Sequence, residues 1–282
     1  MARLATFVHV SDLHFGVLDS SSLDAANPWW MNLPTLDGFL GHSQSSITAL
    51  DRSFAALNST EGAGLIITGD LTTCGNASEF QLFDTYAGHK PSSSQFNYLG
   101  LRTPDWKKTS IPGNHDNWPG MLTMMSTPKM LGTPNAMLYK FFHDLPRVLP
   151  AHSLSLGYQL RFIWINSDAD VGFKTPNRAW ARGSFVSELE KAEAQLPKPA
   201  DKEIRVLCIH HSPTFSGSAS SLGALEIDRR SRQRVAKFIV DNRVSVVLCG
   251  HIHNPPTVEI NLAEYLDGSV RNSAFVLRGA LR

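Results

Sequence analysis

Only three cysteines, Cys74, Cys208 and Cys249, occur in 282 residues. An odd count with no close pair argues against a disulfide framework and for a reducing compartment, and no CxxC spacing offers a thiolate metal site. Cys208 and Cys249 stand inside apolar, strand-like runs, where a free thiol acts as a small hydrophobe, so both are expected in a core. An excess of charge of one sign is also missing: 26 Lys and Arg against 25 Asp and Glu leave a formal charge of +1. Nothing in that balance favours a nucleic-acid polymer or an anionic membrane surface as partner. No apolar run approaches the ~20 residues that span a bilayer. The opening "ATFVHVSD" (5–12) is short and runs straight into a polar motif that cleavage would destroy, so it reads as a first strand rather than a signal. A cytoplasmic location without a membrane partner is the expectation. Repeats, low-complexity tracts and charge blocks are absent too, which leaves a single domain over residues 1–282 as the expected organisation.

What is present is an ordinary globular composition, 42% hydrophobic and 18% charged, arranged as alternating strand and helix patterns. Five short apolar runs each end in a polar cluster: "ATFVHVSD" before "DLHFG", "GLIITGD" (64–70), "TSIPGNHD" (109–116), "IRVLCIHH" (204–211) and "VSVVLCGHIH" (244–253). Near-continuous apolar runs of this length suit strands covered on both faces. Helical patterns fall at 43–57, 76–88, 184–196 and 228–242. Residues 153–168 read as a hairpin turning at Gly157, and the tail reads as another around "DGS". The fold class is therefore α/β, a two-sheet β-sandwich flanked by helices. Residues 17–42, with Trp29 and Trp30, lack periodicity and read as a loop insertion, either pinned to the surface or facing substrate as a lid.

The polar clusters hold Asp12 and His14, Asp70, Asn114 with His115 and Asp116, His210 with His211, and His251 with His253. Each cluster follows its own strand, at the edge where α/β sheets carry their sites. Carboxylate, amide and imidazole donors together suit divalent or trivalent Mn, Fe or Zn. Asp12, His14, Asp70, Asn114, His210, His251 and His253 are too many ligands for one ion, whereas two ions sharing a carboxylate, about 3.5–4 Å apart, would use them all. DxH and GD arise by chance, and a single strand-end histidine is more often a hydrogen-bonded structural residue. Five such clusters in order are a different matter. Gly250 ends the last strand and frees the backbone to turn, so His251 and His253 are expected to reach different ions.

The order "DLH … GD … GNHD … HH … GHIH", spanning residues 12–253, resembles the calcineurin-like metallophosphoesterase superfamily. The resemblance implies a two-sheet sandwich with a dinuclear centre at its rim. It implies Asp12, His14 and His253 on one metal, Asn114, His210 and His251 on the other, and Asp70 bridging them. It implies that His115 contacts the phosphate and protonates the leaving group, with Asp116 placed to orient it and Asn114 beside the substrate. His211 is left between a contact to substrate and a cap on the following turn. His9, His42, His89, His143 and His152 match no ligand motif, and "RRSRQR" (229–234) spreads over a helix as a solvated face.

Two cations offset the charge that shields a phosphate ester and lower the pKa of a shared water, and an imidazolium can protonate the departing alkoxide. The expected activity is therefore a phosphoester hydrolase. The small phosphodiesterases of the superfamily share the compact "DLHFG", "GNHD" and "HH" clusters, so a small or nucleotide-like diester is the expected substrate. A phosphomonoesterase or protein phosphatase is the nearest alternative, and a non-catalytic interaction scaffold of the same fold is the alternative from a different class. A scaffold would be marked by lost ligands, and here every matching position carries the family's residue type.

Overall fold

Alternation along the strands decides which layer each side chain enters. The computed structural model describes residues 5–15, 44–88, 100–118, 135–171, 182–213, 227–251, 258–260 and 275–278. A parallel three-stranded sheet holds β1 (Phe7–Val10), β2 (Gly64–Thr68) and β3 (Ser110–Ile111), in that order. The second sheet is built from β4 (Arg147–Val148), β5 (His152–Ser153), β6 (Gln159–Trp164), β7 (Glu203–Cys208), β8 (Val244–Cys249), β9 (Val258–Ile260) and β10 (Phe275–Arg278). Its order is β4-β6-β7-β8-β10-β9, with β5 beside β6. Strands β6, β7, β8 and β10 run parallel, and β4, β5 and β9 pair antiparallel.

Leu65 and Ile67 of β2 face outward, where they meet Leu50 and Phe54 of α1 (Gln44–Glu61), Phe80, Phe83 and Tyr86 of α2 (Ala77–Gly88), and Leu138 and Phe141 of α3 (Ala136–Phe142). Ile66, between them in sequence, turns inward with Ile111 and packs on Leu160, Phe162 and Trp164 of β6, Val206 and Cys208 of β7, and Leu248 of β8. The next residues along those strands, Ile163, Leu207 and Val247, face the other way onto Leu189 and Ala192 of α4 (Val186–Gln195) and Val235, Phe238 and Ile239 of α5 (Arg229–Asp241). The result is helix, sheet, sheet, helix. The period of two forces it, because a strand apolar on both faces needs a cover on each.

The expected strands and all four helical patterns are present, and the strand before "GNHD" is two residues long at its sheet's edge. Strands β9 and β10 form the expected antiparallel tail pair, although its "DGS" turn lies outside the described residues. The 17–42 segment, His42 and His89 also lie outside them. All three cysteines are free and buried. On α5, Arg229 and Arg230 are exposed while Ser231, Val235 and Phe238 are buried, the solvated face that the arginine run suggested. Helix α3 and strand β4 were not foreseen, because seven and two residues are too short to show a period.

Helix α2 begins in a reciprocal cap. Asn76 Oδ1 accepts from the Glu79 amide at 2.8 Å, and Glu79 Oε2 accepts from the Asn76 and Cys74 amides at 3.4 and 2.8 Å. The cap fastens the loop after β2, which carries Asp70. Glu79 is 3% exposed, and burial pushes its carboxyl up to about 7 against those amide hydrogen bonds. A carboxyl raised on folding binds its proton more tightly in the native state, so its contribution is full below the ordinary pKa near 4.5 and lost as pH rises through about 7. We expect Glu79→Gln to remove roughly 3 kcal/mol of pH-dependent stability between pH 4.5 and 7. Urea unfolding of both proteins at the two pH values checks this; parallel pH profiles would contradict it.

Candidate metal centre

Five parallel strands from both sheets end at one rim. Asp12 stands two residues past β1, Asp70 two past β2, Asn114 and His115 just past β3, His210 two past β7 and His251 two past β8. All six are buried, from 0% exposed at Asp12 and His210 to 7% at His115 and His251. Asp12, His14, Asp70 and His251 hold positive φ, at 58°, 43°, 50° and 71°. Left-handed backbone at non-glycine residues is strained, and here it recurs at the residues that face the rim. The strain is held by cross-links between strand ends: Asp12 N donates to Gly69 O at 3.0 Å, His14 N to Asp70 O at 2.9 Å and Gly250 N to His210 O at 2.9 Å.

One cluster surrounds Nε2 of His210. Its Nδ1 lies 2.8 Å from the Thr68 carbonyl, which only accepts, so Nδ1 carries hydrogen and Nε2 faces inward. Around that Nε2 are Asp70 Oδ2, Asn114 Oδ1 and His251 Nδ1, each 3.2 Å away. Acceptor-type atoms converge, with at most one proton of His210 to share among three neighbours. A cation at that position would satisfy them all, so the residues fit a metal ion.

The second cluster shares Asp70. Its Oδ1 accepts from the His115 amide at 2.9 Å, while Oδ2 faces His14 Nε2 at 3.8 Å as well as His210. Nitrogen and oxygen donors of His14, Asp70 and His115 lie within 4.8 Å of one another, as do those of Asp70, His210 and His251. Asp12 closes the rim by accepting the His251 amide on both oxygens, at 3.0 and 3.1 Å. One oxygen of Asp70 thus looks into both clusters, the geometry a bridging ligand needs.

The charges answer one another. Burial would raise Asp70, but the His210, His115 and His14 rings outweigh it and hold the carboxyl well below its ordinary value. Burial would lower His210, and the Asp70 carboxylate instead lifts it to about 9. Asp12 is pushed up to about 7, chiefly by burial. His251 falls well below its usual value through burial and the neighbouring His211 and His210 rings, which leaves it neutral and able to ligate.

The structure therefore brings Asp12, His14, Asp70, Asn114, His115, His210, His211 and His251 together, while His253 lies outside the described residues. Two expectations are corrected. Asp116 does not orient the His115 ring: its oxygens accept from the amides of Leu71, Thr72 and Gly113 and from the Thr72 hydroxyl, which ties the "GNHD" turn to the β2 loop. The His115 ring is held instead through Nδ1 by the Thr73 carbonyl at 2.8 Å, and it stacks on Trp118 at 3.7 Å. The left-handed turn after β8 is made by His251 rather than Gly250. Gly250 is required for another reason, since an added Cβ would fall 1.8 Å from Ser11 Oγ.

Three residues were missed. Ser167 and Asp168 follow β6 at the same rim, both buried, and Asp168 Oδ2 accepts from Asn117 Nδ2 at 2.7 Å across the sheets. Burial pushes Asp168 up to about 8. The polar end of "FIWINSD" was their signal, a sixth strand with a polar terminus. Thr68 supports two histidines, through its carbonyl to His210 and its hydroxyl to His9 Nε2 at 2.8 Å. His143 and His152 are exposed.

Comparison with known proteins adds three findings. Residues 5–255 match the family model described as calcineurin-like phosphoesterase. No curated protein matches the chain. Among solved structures, the chain is similar to purple acid phosphatase PPD1 from yellow lupin (Lupinus luteus) seeds, at 13% identity and a TM-score of 0.51, over 100% of this chain and 44% of that one. It is also matched to GAP50, the anchor in the inner membrane complex of Plasmodium, at 13% identity and a TM-score of 0.44, over 99% of this chain and 72% of that one. The chain thus spans less than half of the lupin enzyme, and at this identity the likeness concerns the fold.

The cradle is tight enough to be broken without touching a ligand. A Cβ at Gly113 would lie 2.2 Å from Asp70 Oδ1. We expect Gly113→Ala to weaken metal binding by about 10–100-fold, the usual effect of disturbing a ligand's support. Calorimetric titration with Mn(II), beside circular dichroism to establish folding, measures it. Unchanged affinity in a folded variant would show that Asp70 does not hold the metal.

Proposed function

The chain belongs to the calcineurin-like phosphoesterases, whose pattern covers residues 5–255, and on that premise we propose that it is a metal-dependent phosphodiesterase acting on a small, nucleotide-like ester. The observation that carries the hydrolytic reading is the convergence of Asp70, Asn114 and His251 on His210 Nε2, each at 3.2 Å. Asp12, His14, Asp70 and His253 would hold one ion, and Asn114, His210, His251 and the shared Asp70 the other, with Mn, Fe or Zn as the metals. When bound, such a pair supplies Lewis acidity toward the phosphate and a lowered pKa for a shared water.

The chain's own residues do the rest. His115 keeps Nδ1 on the Thr73 carbonyl, so the proton it moves is carried at Nε2. Burial lowers its pKa, and the acid form arises when the ester's negative charge comes beside the ring. Trp118, stacked 3.7 Å away, restrains the ring in the orientation from which Nε2 can protonate the departing oxygen. Asn114 sits beside it and contacts the same phosphate. The diester reading is supported by the "DLHFG", "GNHD" and "HH" clusters. Among the described residues no helix is long and apolar enough to cross a membrane, and a cytoplasmic setting matches the free cysteines.

The test is hydrolysis of bis(p-nitrophenyl) phosphate against p-nitrophenyl phosphate by the Mn-loaded protein. A higher kcat/KM for the diester is expected; a higher value for the monoester would assign a monoesterase, and activity on neither would favour a scaffold. His115→Ala is expected to retain its metals and to lose about 10²–10⁴-fold in turnover on esters with alkyl leaving groups, and less on aryl ones. Loss of metal in that variant would make His115 a ligand instead.

A further inference from the structure

Helix α3 opens on an asparagine whose two ends do different things. Asn135 Oδ1 accepts from the Met137 amide at 2.9 Å, an N-cap that serine or aspartate would supply equally well. The other end of the same side chain faces three carbonyl oxygens. Nδ2 donates to Gly75 O at 2.7 Å, to Trp118 O at 2.7 Å and to Asp116 O at 3.0 Å. An amide on one side and carbonyls on the other fix which atom is the nitrogen. Two hydrogens are thus shared among three acceptors, by a residue that is 8% exposed. Among the common N-cap residues, only asparagine adds two amide hydrogens.

Those carbonyls belong to the two segments that hold the His115 ring. Gly75 lies two residues after Thr73, whose carbonyl is 2.8 Å from the ring's Nδ1. Trp118 stacks on the ring, with centroids 3.7 Å apart and planes inclined by 28°. The segments pass so close that a Cβ on Gly75 would fall 2.6 Å from Trp118 O and 2.8 Å from Asp116 O. Buried carbonyl oxygens gathered in one place need a donor among them, and Asn135 is that donor. The Asp116 carboxylate ties the same turn to the amides of Leu71, Thr72 and Gly113, and Asn117 ties it to Asp168. Asn135 adds the tie at the Trp118 end. Resting on the phosphoester-hydrolase reading, we infer that Asn135 is a positioning residue for the acid. It clamps the Thr73 and Trp118 segments together, so that His115 Nε2 stays aimed at the departing oxygen.

Asn135→Ser keeps a helix cap and loses the amide, whereas Asn135→Ala loses both. If Asn135 only capped the helix, activity would fall with stability, more in the alanine variant, and on every ester alike. The clamp predicts equal losses in the two folded, Mn-loaded variants, about 10–100-fold in kcat on methyl p-methoxyphenyl phosphate, with KM within about twofold. Methyl p-nitrophenyl phosphate, whose leaving group needs no proton, should lose much less. Loss by the same factor on both esters would overturn the inference. In the His115→Ala background Asn135→Ser should cost nothing further, and a full additional loss would also overturn it. Gly75→Ala, which keeps Asn135 but wedges the segments apart, should repeat the pattern, and it decides the matter if the serine variant does not fold. Long-range ¹H–¹⁵N spectra of the Zn-loaded, ¹⁵N-labelled protein read the ring without turnover, with His115 assigned by its absence in His115→Ala. Its carbon-bound ring protons should move downfield in Asn135→Ser as the Trp118 ring current is lost; unmoved resonances would overturn the clamp. If the wild type hydrolyses no ester, the hydrolase reading falls, while the spectra still decide whether Asn135 holds the ring.

Discussion

Everything at this rim answers to one constraint, a carboxylate buried among imidazoles. Asp70 is 1% exposed and carries its charge without water, and it stays ionised because His210, His115 and His14 surround it. A buried charge is tolerated only when it is paired and hydrogen-bonded, so the neighbouring chain must approach it closely from several sides. That requirement explains the left-handed backbone at Asp12, His14, Asp70 and His251. It also explains why Gly113 has no room for a side chain against Asp70. The two sheets meet the constraint jointly: the first brings Asp12, Asp70 and Asn114, and the second brings His210 and His251. The first sheet supplies the His14, Asp70 and His115 group by itself, and the other group joins its Asp70 to His210 and His251 of the second.

A second layer of contacts distributes protons among chemically identical rings. Thr68 and Thr73 offer carbonyls to His210 and His115, while Ser167 offers a hydroxyl already filled by two amides. His210 is thereby set up to present a lone pair toward the centre, and His115 to carry its mobile proton at Nε2. In a phosphoester hydrolase those are distinct tasks, holding a cation and delivering a proton to a leaving group. The carbonyls that hold these two rings belong to Thr68 and Thr73, residues that carry none of the chemistry themselves.

That division also marks where sequence reasoning succeeds. Asp12, His14, Asp70, Asn114, His210 and His251 were visible because they fall in five clusters that each end an apolar run, and strand ends in α/β sheets gather at one edge. The four helices were visible through their period. The supporting carbonyls of Thr68 and Thr73 were not, since every residue has a carbonyl and its use depends on where a distant strand ends. Asp116 was misread for a related reason: its neighbour in sequence is His115, but its neighbours in space are the amides of Leu71, Thr72 and Gly113. The turn after β8 was placed at the glycine because glycine tolerates positive φ, whereas steric contact with Ser11 is what requires Gly250 and the Asp12 carboxylate is what anchors His251.

Whether Asp70 joins two metal positions into one site is decided by electron paramagnetic resonance of the Mn(II)-loaded protein, read together with elemental analysis. Two ions sharing a carboxylate at about 3.5–4 Å are magnetically coupled. About two manganese ions per chain and the spectrum of an exchange-coupled pair are expected. A single, uncoupled Mn(II) signal at one ion per chain, unchanged by excess metal, would contradict it.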